Sequence, residues 1–299
     1  MYSQIDSNKR KTAFLIGAFI ALIILLGWAV GLYLGMGYEG MAWAAIIAAG
    51  LSLFSFFSGD TVALVTAGAK PITKEQNPYV YRLVENLCIA GGLPVPKVHV
   101  IDDPAPNAFA TGRDPKHASI ALTSGLIEQL ENEELEGVIA HELSHIKNFD
   151  IRLMTVVIIC VGAITLLADL FFRGAIFGGR KRDQGAGGIL ALIGLVFIIL
   201  SPLFARLIQF AVSRKREFLA DASGALLTRY PDGLASALGK IANYPTPVKR
   251  AKTSTAHLYI SSPFGTKKRG LSNLFSTHPP VAERMAALRG MTSLDTPTS

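Results

Sequence analysis

From Thr12 to Tyr38 the chain carries no charged side chain, and after Glu39 a second uncharged stretch runs from Gly40 to Gly59. At about 1.5 Å rise per residue, a helix through the first stretch is about 40 Å long, more than the about 30 Å of a bilayer's hydrocarbon core. In lipid only helices satisfy their own backbone groups without closing a barrel, so the two stretches read as a transmembrane helical hairpin. A cleaved signal peptide has a shorter apolar core and leads into a soluble chain; here a second apolar run follows at once, which favours an uncleaved anchor. Trp43 sits near the start of the second run, where interfacial aromatics collect, and Lys9, Arg10, Lys11 and Lys70 flank the pair, placing both ends in the cytoplasm. Composition agrees, with 50% hydrophobic and only 17% charged residues. The net charge of +7 comes from short basic groups beside apolar runs, a pattern that fits the headgroups of a lipid bilayer. No aromatic-interleaved basic stretch is present, so nucleic acid is not an expected partner. Cys88 and Cys160 are far apart and imply no disulfide framework.

From Lys70 the composition becomes that of a globular domain. Pro78 to Ala90 carries Val80, Leu83, Val84 and Leu87 at helical spacing, and Gly91-Gly92 stops it. Three strand-like pieces follow at Lys97–Ile101, Asn107–Thr111 and Ser119–Thr123, predicting a small sheet. His99 has no partner at ligand spacing and reads as structural. A short helix is expected from Ser124 through Leu130.

The next helix, beginning at Asn132 with Glu133 and Glu134 in its first turn, contains His141-Glu142-Leu-Ser-His145. Residues four apart share a helix face, so His141 and His145 can present two imidazoles to one metal while Glu142 points beside it. That pattern is the zincin motif His-Glu-x-x-His, in which the carboxylate serves as general base. Three residue types on a solvated face would be the plain alternative, but Val138, Ile139 and Ile146 give the helix a packed side, where ligands are held firmly. We expect one Zn2+ per chain.

The motif helix continues, with no glycine or proline to break it, into a third uncharged run from Leu153 to Ala168. Its length of about 24 Å falls short of a full crossing unless it extends into Phe171 and Phe172. A basic, glycine-rich connection with Arg180, Lys181 and Arg182 leads to a fourth run, Gln184 to Ala205, long enough to span. Beyond it lies Ser213-Arg-Lys-Arg-Glu217-Phe-Leu-Ala-Asp221. Glu217 and Asp221 share a helix face, so Glu217 can supply a third ligand while Asp221 hydrogen-bonds a ligating imidazole. An ordinary surface helix whose acids pair with Arg214 and Arg216 is the alternative, and it leaves the zinc without a third ligand. For Glu217 to reach the two histidines, the intervening runs must cross the membrane either twice or not at all; the basic connection opposes two crossings, and both versions stand.

Leu234 to Ile241 reads as a helix, and Tyr244 to Ser276 as a long exposed loop. Ser276-Thr-His278-Pro-Pro280 precedes a short amphipathic helix with Val281, Met285 and Leu288, and the tail after Gly290 reads as disordered. His278 is either a turn residue or an imidazole held over the metal to stabilise an oxyanion.

Together these pieces resemble the HtpX family of bacterial membrane zinc metallopeptidases, relatives of the CAAX prenyl endopeptidases. The resemblance rests on the N-terminal apolar pair, Pro106-Asn107-Ala108-Phe109-Ala110-Thr111-Gly112, the motif with Asn148 and Asp150 after it, two further apolar runs, Glu217 with Asp221, and His278-Pro-Pro. It implies an α+β fold, mostly helical with a small sheet: a multi-pass helical membrane protein carrying a zincin-type, gluzincin-like peptidase domain. It implies His141, His145 and Glu217 as zinc ligands, Glu142 as general base, Asp221, Asn148 and Asp150 as their outer partners, and His278 as a transition-state stabiliser. The expected organisation is a cytoplasmic N-terminus (1–11), a transmembrane hairpin (12–69), a first catalytic part (70–152), two apolar segments (153–205), a second catalytic part (206–290) and a tail (291–299). The implied activity is membrane-protein quality control on the cytoplasmic side of the bacterial inner membrane, acting on membrane-protein and unfolded polypeptide substrates. Substrate is expected to lie along the sheet edge, bonded to the main chain of Asn107, Ala108, Phe109, Ala110 and Thr111. Two rivals are a prenyl-protein endopeptidase and a non-proteolytic scaffold with structural zinc; against the latter, three protein ligands leave a position open and neither cysteine has ligand spacing.

Overall fold

The computed structural model describes residues 2–33, 35–36, 38–158, 160, 162, 214–252, 254–265 and 278–294. Helix α1 (Tyr2–Tyr33) and helix α2 (Tyr38–Ala67) form an antiparallel hairpin. Small residues set how near they come: a Cβ on Gly27 would collide with Ala44, and one on Gly40 would lie 2.6 Å from Gly31 Cα. Such stripes let membrane helices pack backbone to backbone. Phe14, Leu25, Trp43, Ile46, Leu53, Phe54 and Phe57 all point outward, an apolar surface suited to lipid rather than water. Both helices are long and apolar enough to cross a bilayer, over Ile5–Trp28 and Tyr38–Ala67. The polar N-terminal residues form the first turns of α1.

The globular part is built on strands β1 (Ala69–Pro71), β2 (Lys97–Ile101), β3 (Ala108–Asp114) and β4 (His117–Thr123), in the order β1-β2-β4-β3. β2 and β4 run parallel and the other pairs antiparallel. The β3–β4 turn is fixed by Asp114, whose Oδ1 accepts the N–H groups of Lys116 and His117, an Asx turn. Alternation divides the sheet into two faces. Val98, Ala108, Ala110, Ile120 and Leu122 face the helical core, while Ile101, Phe109 and Ala121 meet Ala63, Leu64 and Ala67 of α2, together with Met154, Leu258 and Tyr259. The anchor therefore docks on the back of the sheet.

Helix α3 (Pro78–Gly91) begins with Asn77 Oδ1 accepting the Val80 N–H and ends at Gly92 in the left-handed conformation, φ 64°. After the short helix α4 (Ser124–Gln129), helix α5 (Asn132–Lys147) runs through the core. The Glu131 N–H donates to Glu134 Oε2 at its start, half of a capping box. Helices α6 (Arg214–Thr228), α7 (Pro231–Asn243) and α8 (Val281–Leu294) complete the layer around it.

Three expectations are corrected. The metal-motif helix does break: Phe149 sits at φ 59° and the helix restarts at Asp150, a turn that lets Asp150 reach back to His145. The segment after α7 is not simply exposed. Val248, Leu258, Tyr259 and Ile260 are buried, and the Ile260 N–H donates to the Ala108 carbonyl. Finally, residues 291–294, assigned to the tail, extend α8. The third run beyond residue 162 and the whole of the fourth lie outside the described residues.

Candidate metal centre

Helix α5 presents His141 and His145 on one face, with the two Nε2 atoms 3.1 Å apart. Across from them α6 brings Glu217, its carboxylate oxygens 3.9 Å from His141 Nε2 and 3.6 Å from His145 Nε2. The approach depends on Gly224, where a Cβ would lie 3.0 Å from the His141 backbone nitrogen; a larger residue would push α6 off α5. All three side chains are buried, and a ligand atom from each lies within 4.8 Å of the others. Tetrahedral ligands about 2.0–2.2 Å from a common metal sit about 3.3–3.6 Å apart, so the spacing fits one ion. Glu217 Oε1 has no hydrogen-bond donor among the described residues, as a carboxylate oxygen reserved for a cation would require.

The far nitrogen of each imidazole faces a carboxylate. His141 Nδ1 lies 2.9 Å from Asp221 Oδ1, and His145 Nδ1 lies 3.0 Å from Asp150 Oδ2. Each contact favours a proton on Nδ1 and leaves the Nε2 lone pair aimed at the shared point, the usual arrangement behind ligating histidines. Asp221 is gripped by Arg284, with Nε to Oδ2 at 2.8 Å and Nη2 to Oδ1 at 2.6 Å. Asp150 receives Asn8 Nδ2 at 2.7 Å and Arg216 Nη1 at 3.4 Å.

These surroundings split the two histidines. Burial pushes His141 down to about 4 against the pull of Asp221, with the charges of His145 and Arg284 adding to the fall. Burial also opposes charge on His145, but Asp150, Glu217 and Glu142 outweigh it and raise it to about 9. Glu142, fully buried beside them, is pushed up to about 7 by desolvation. Glu217 is held well below the ordinary carboxylate range in spite of its burial, chiefly by His278.

The expected site residues fall into two groups. His141, Glu142, His145, Glu217, Asp221 and Asp150 converge on one buried centre. His278 joins them through Nδ1, 2.9 Å from Glu217 Oε2, so it abuts a ligand. Asn148 stands apart: it ends α5, its N–H donates to the Ser144 carbonyl, and its side chain meets neither imidazole. The stretch 107–111 does form an edge of the sheet, but all five residues are buried. The Ala108 carbonyl is taken by Ile260 and the Asn107 amide donates to the Ser261 carbonyl, so the chain itself pairs there. Arg284 went unrecognised in the sequence. It lies between Val281 and Leu288 on the apolar stripe of its helix, and a guanidinium in that position was the available signal.

Comparison with known proteins decides the family. The model of peptidase family M48 matches residues 74–292. The chain belongs to peptidase family M48. Among curated M48 relatives, a "Protease HtpX homolog" of Dictyoglomus thermophilum is 47% identical over 290 residues, 97% of this chain and 94% of that one. The homologue of Tropheryma whipplei strain TW08/27 is 46% identical, covering 97% and 98% of the two chains. That of Listeria monocytogenes serotype 4a is 43% identical, covering 97% and 100%. The crystal structure of S. mikatae Ste24p shares the fold at TM-score 0.50 and 20% identity, over 96% of this chain and 67% of that one. The protein is thus a membrane metallopeptidase of the M48 type, mostly helical with a small mixed sheet.

Proposed function

We propose that this chain is a zinc-dependent endopeptidase of the bacterial cytoplasmic membrane that cleaves misfolded or damaged membrane proteins on the cytoplasmic side. The observation that carries this reading is the convergence of His141, His145 and Glu217 on one point with Glu142 beside it. His141, His145 and Glu217 would hold the ion. Zinc supplies Lewis acidity, polarising a peptide carbonyl and acidifying water. Glu142 takes a proton from the attacking water and delivers it to the leaving amine nitrogen. A carboxyl poised at about 7 suits both halves of that transfer near neutral pH. Asp221 and Asp150 hold the imidazole tautomers, and Arg284 keeps Asp221 charged through the cycle. His278 braces Glu217 and lines a cavity of about 550 Å3 shared with Asn107, Ile260, Phe264, Arg284 and Met285. This cavity, rather than the covered edge at Ala108, is where substrate meets the site.

Three protein ligands leave one position for water, which speaks for catalysis over a structural role. The basic flanks of the hairpin place the N-terminal end of α1 in the cytoplasm. The contact of Asn8 with Asp150 supports a site on that same side.

The test compares zinc content and cleavage of an unfolded membrane-protein substrate for wild type, Glu142→Ala and Glu217→Ala. Glu142→Ala should keep zinc and lose cleavage, and Glu217→Ala should lose both. A Glu142→Ala variant that cleaves like wild type would overturn the assignment.

A further inference from the structure

Asn8 lies in the first turns of α1, before the uncharged stretch that begins at Thr12, and is 1% exposed. Its side chain is spent entirely on the far side of the molecule's sequence. Asn8 Nδ2 donates to Asp150 Oδ1 at 2.7 Å and to the Asn148 carbonyl at 2.9 Å, while its Oδ1 accepts from Arg216 Nη1 at 3.3 Å. Thr12 Oγ1 in turn donates to the Asn8 carbonyl at 2.8 Å, one helical turn on. The same region grips the residue between Asn148 and Asp150. Lys9 Nζ stands 4.9 Å from the centre of the Phe149 ring and Arg152 Cζ 5.0 Å from it, within reach of cation–π attraction.

This turn is one the chain does not adopt freely. Phe149 is at φ 59°, a left-handed conformation that a bulky residue disfavours. It persists only where surrounding contacts hold it. Here α1 supplies a contact to each of Asn148, Phe149 and Asp150, beside those of Arg152 and Arg216. What the turn delivers is Asp150 Oδ2, 3.0 Å from His145 Nδ1.

We propose that Asn8 is a positioning residue of the metal centre: the N-terminal helix, through Asn8 and the Phe149 turn, sets Asp150 and thereby orients His145. The anchor is then part of the site, and disturbing α1 weakens metal binding as well as membrane attachment. The proposal rests on the metallopeptidase reading, since it needs His145 as a ligand.

The experiment uses the full chain in detergent micelles, with zinc affinity measured by competition against a metallochromic chelator and unfolding of the metal-free protein followed separately. Asn8→Ala and Asn8→Leu both remove the hydrogen bonds, but Leu keeps the volume. Both should weaken zinc binding about tenfold, the lower end of what loss of a ligand's outer partner costs. In an Asp150→Ala background the Asn8→Ala effect should fall below about twofold, because the route to His145 is already cut. Should Asn8→Ala fold poorly, Asn8→Leu carries the comparison. Zinc affinity kept by Asn8→Leu and lost only in Asn8→Ala would reduce Asn8 to packing and overturn the proposal, as would wild-type affinity in both. An undiminished effect in the Asp150→Ala background would overturn the route through Asp150. A wild type that takes up no metal would overturn the metal centre itself, whereas an intact wild type with indifferent variants would sink the role of Asn8 alone.

Discussion

The two imidazoles of the centre sit on one helix, yet the regions behind them are built differently. Behind His141 stands an ion pair complete within the globular part, Asp221 gripped at two points by Arg284, whose side chain is 0% exposed. Behind His145 stands Asp150, held by a neutral amide from the anchor and by Arg216 at 3.4 Å. In the first region burial outweighs the pull of Asp221, so His141 stays neutral. In the second, Asp150, Glu217 and Glu142 together outweigh burial, so His145 keeps its proton. The difference teaches that symmetric ligands need not have symmetric supports: one side supplies rigidity, and the other couples the metal to the membrane helix.

The largest effect should come from breaking the ion pair behind His141. Arg284→Met strands Asp221 as a buried charge, and loss of one partner from such a pair costs about 3–5 kcal/mol. Chemical unfolding of the detergent-solubilised protein should show it, and the double variant Arg284→Met with Asp221→Leu should recover much of the stability without recovering zinc affinity. A smaller effect, on metal rather than fold, is expected behind His145. Asp150→Ala should lower zinc affinity about 10–100-fold, with a loss of stability well below that of Arg284→Met. Equal losses in unfolding experiments would erase the distinction.

The comparison also sets a pH dependence. The pKa of His145 in the metal-free protein is raised to about 9, so below that pH it holds a proton that zinc must displace, whereas His141 at about 4 holds none at neutral pH. Zinc affinity should therefore rise with pH up to about 9, and fall by about tenfold for each unit below it, with about one proton released per ion bound. Calorimetry in buffers of different ionisation enthalpy counts that proton. The least effect is expected from Arg216→Lys, which keeps a cation near Asp150 and Asn8, both reached in the wild type by the one nitrogen Nη1. Because the bonds exchanged are long, at 3.3 and 3.4 Å, a loss of about 1 kcal/mol in stability should accompany it.

How much of this was legible in the sequence follows from distance along the chain. Lys97–Ile101 and Pro78–Gly91 announce themselves by local period and by Gly92, and the structure places them there within a residue. His141, His145, Glu217 and Asp221 are visible because helical spacing of four fixes which side chains share a face. Arg284 and Asn8 are a different matter: each acts on a carboxylate in another element, 63 and 142 positions away. No periodicity encodes such a pairing. The break at Phe149 was hidden for a related reason, since a left-handed phenylalanine leaves no glycine or proline to mark it and is sustained by tertiary contacts. The pairing of Ile260 with Ala108 was hidden as well, inside a polar, proline-rich stretch that reads as solvent-exposed.

The central claim is a single ion held by two imidazoles and one carboxylate with a place left open. X-ray absorption at the zinc edge of the purified protein tests it directly. The account predicts nitrogen and oxygen neighbours only, at about 2.0–2.2 Å, with the outer-shell signature of two imidazoles. A sulfur neighbour at about 2.3 Å, or the signature of a single imidazole, would contradict it.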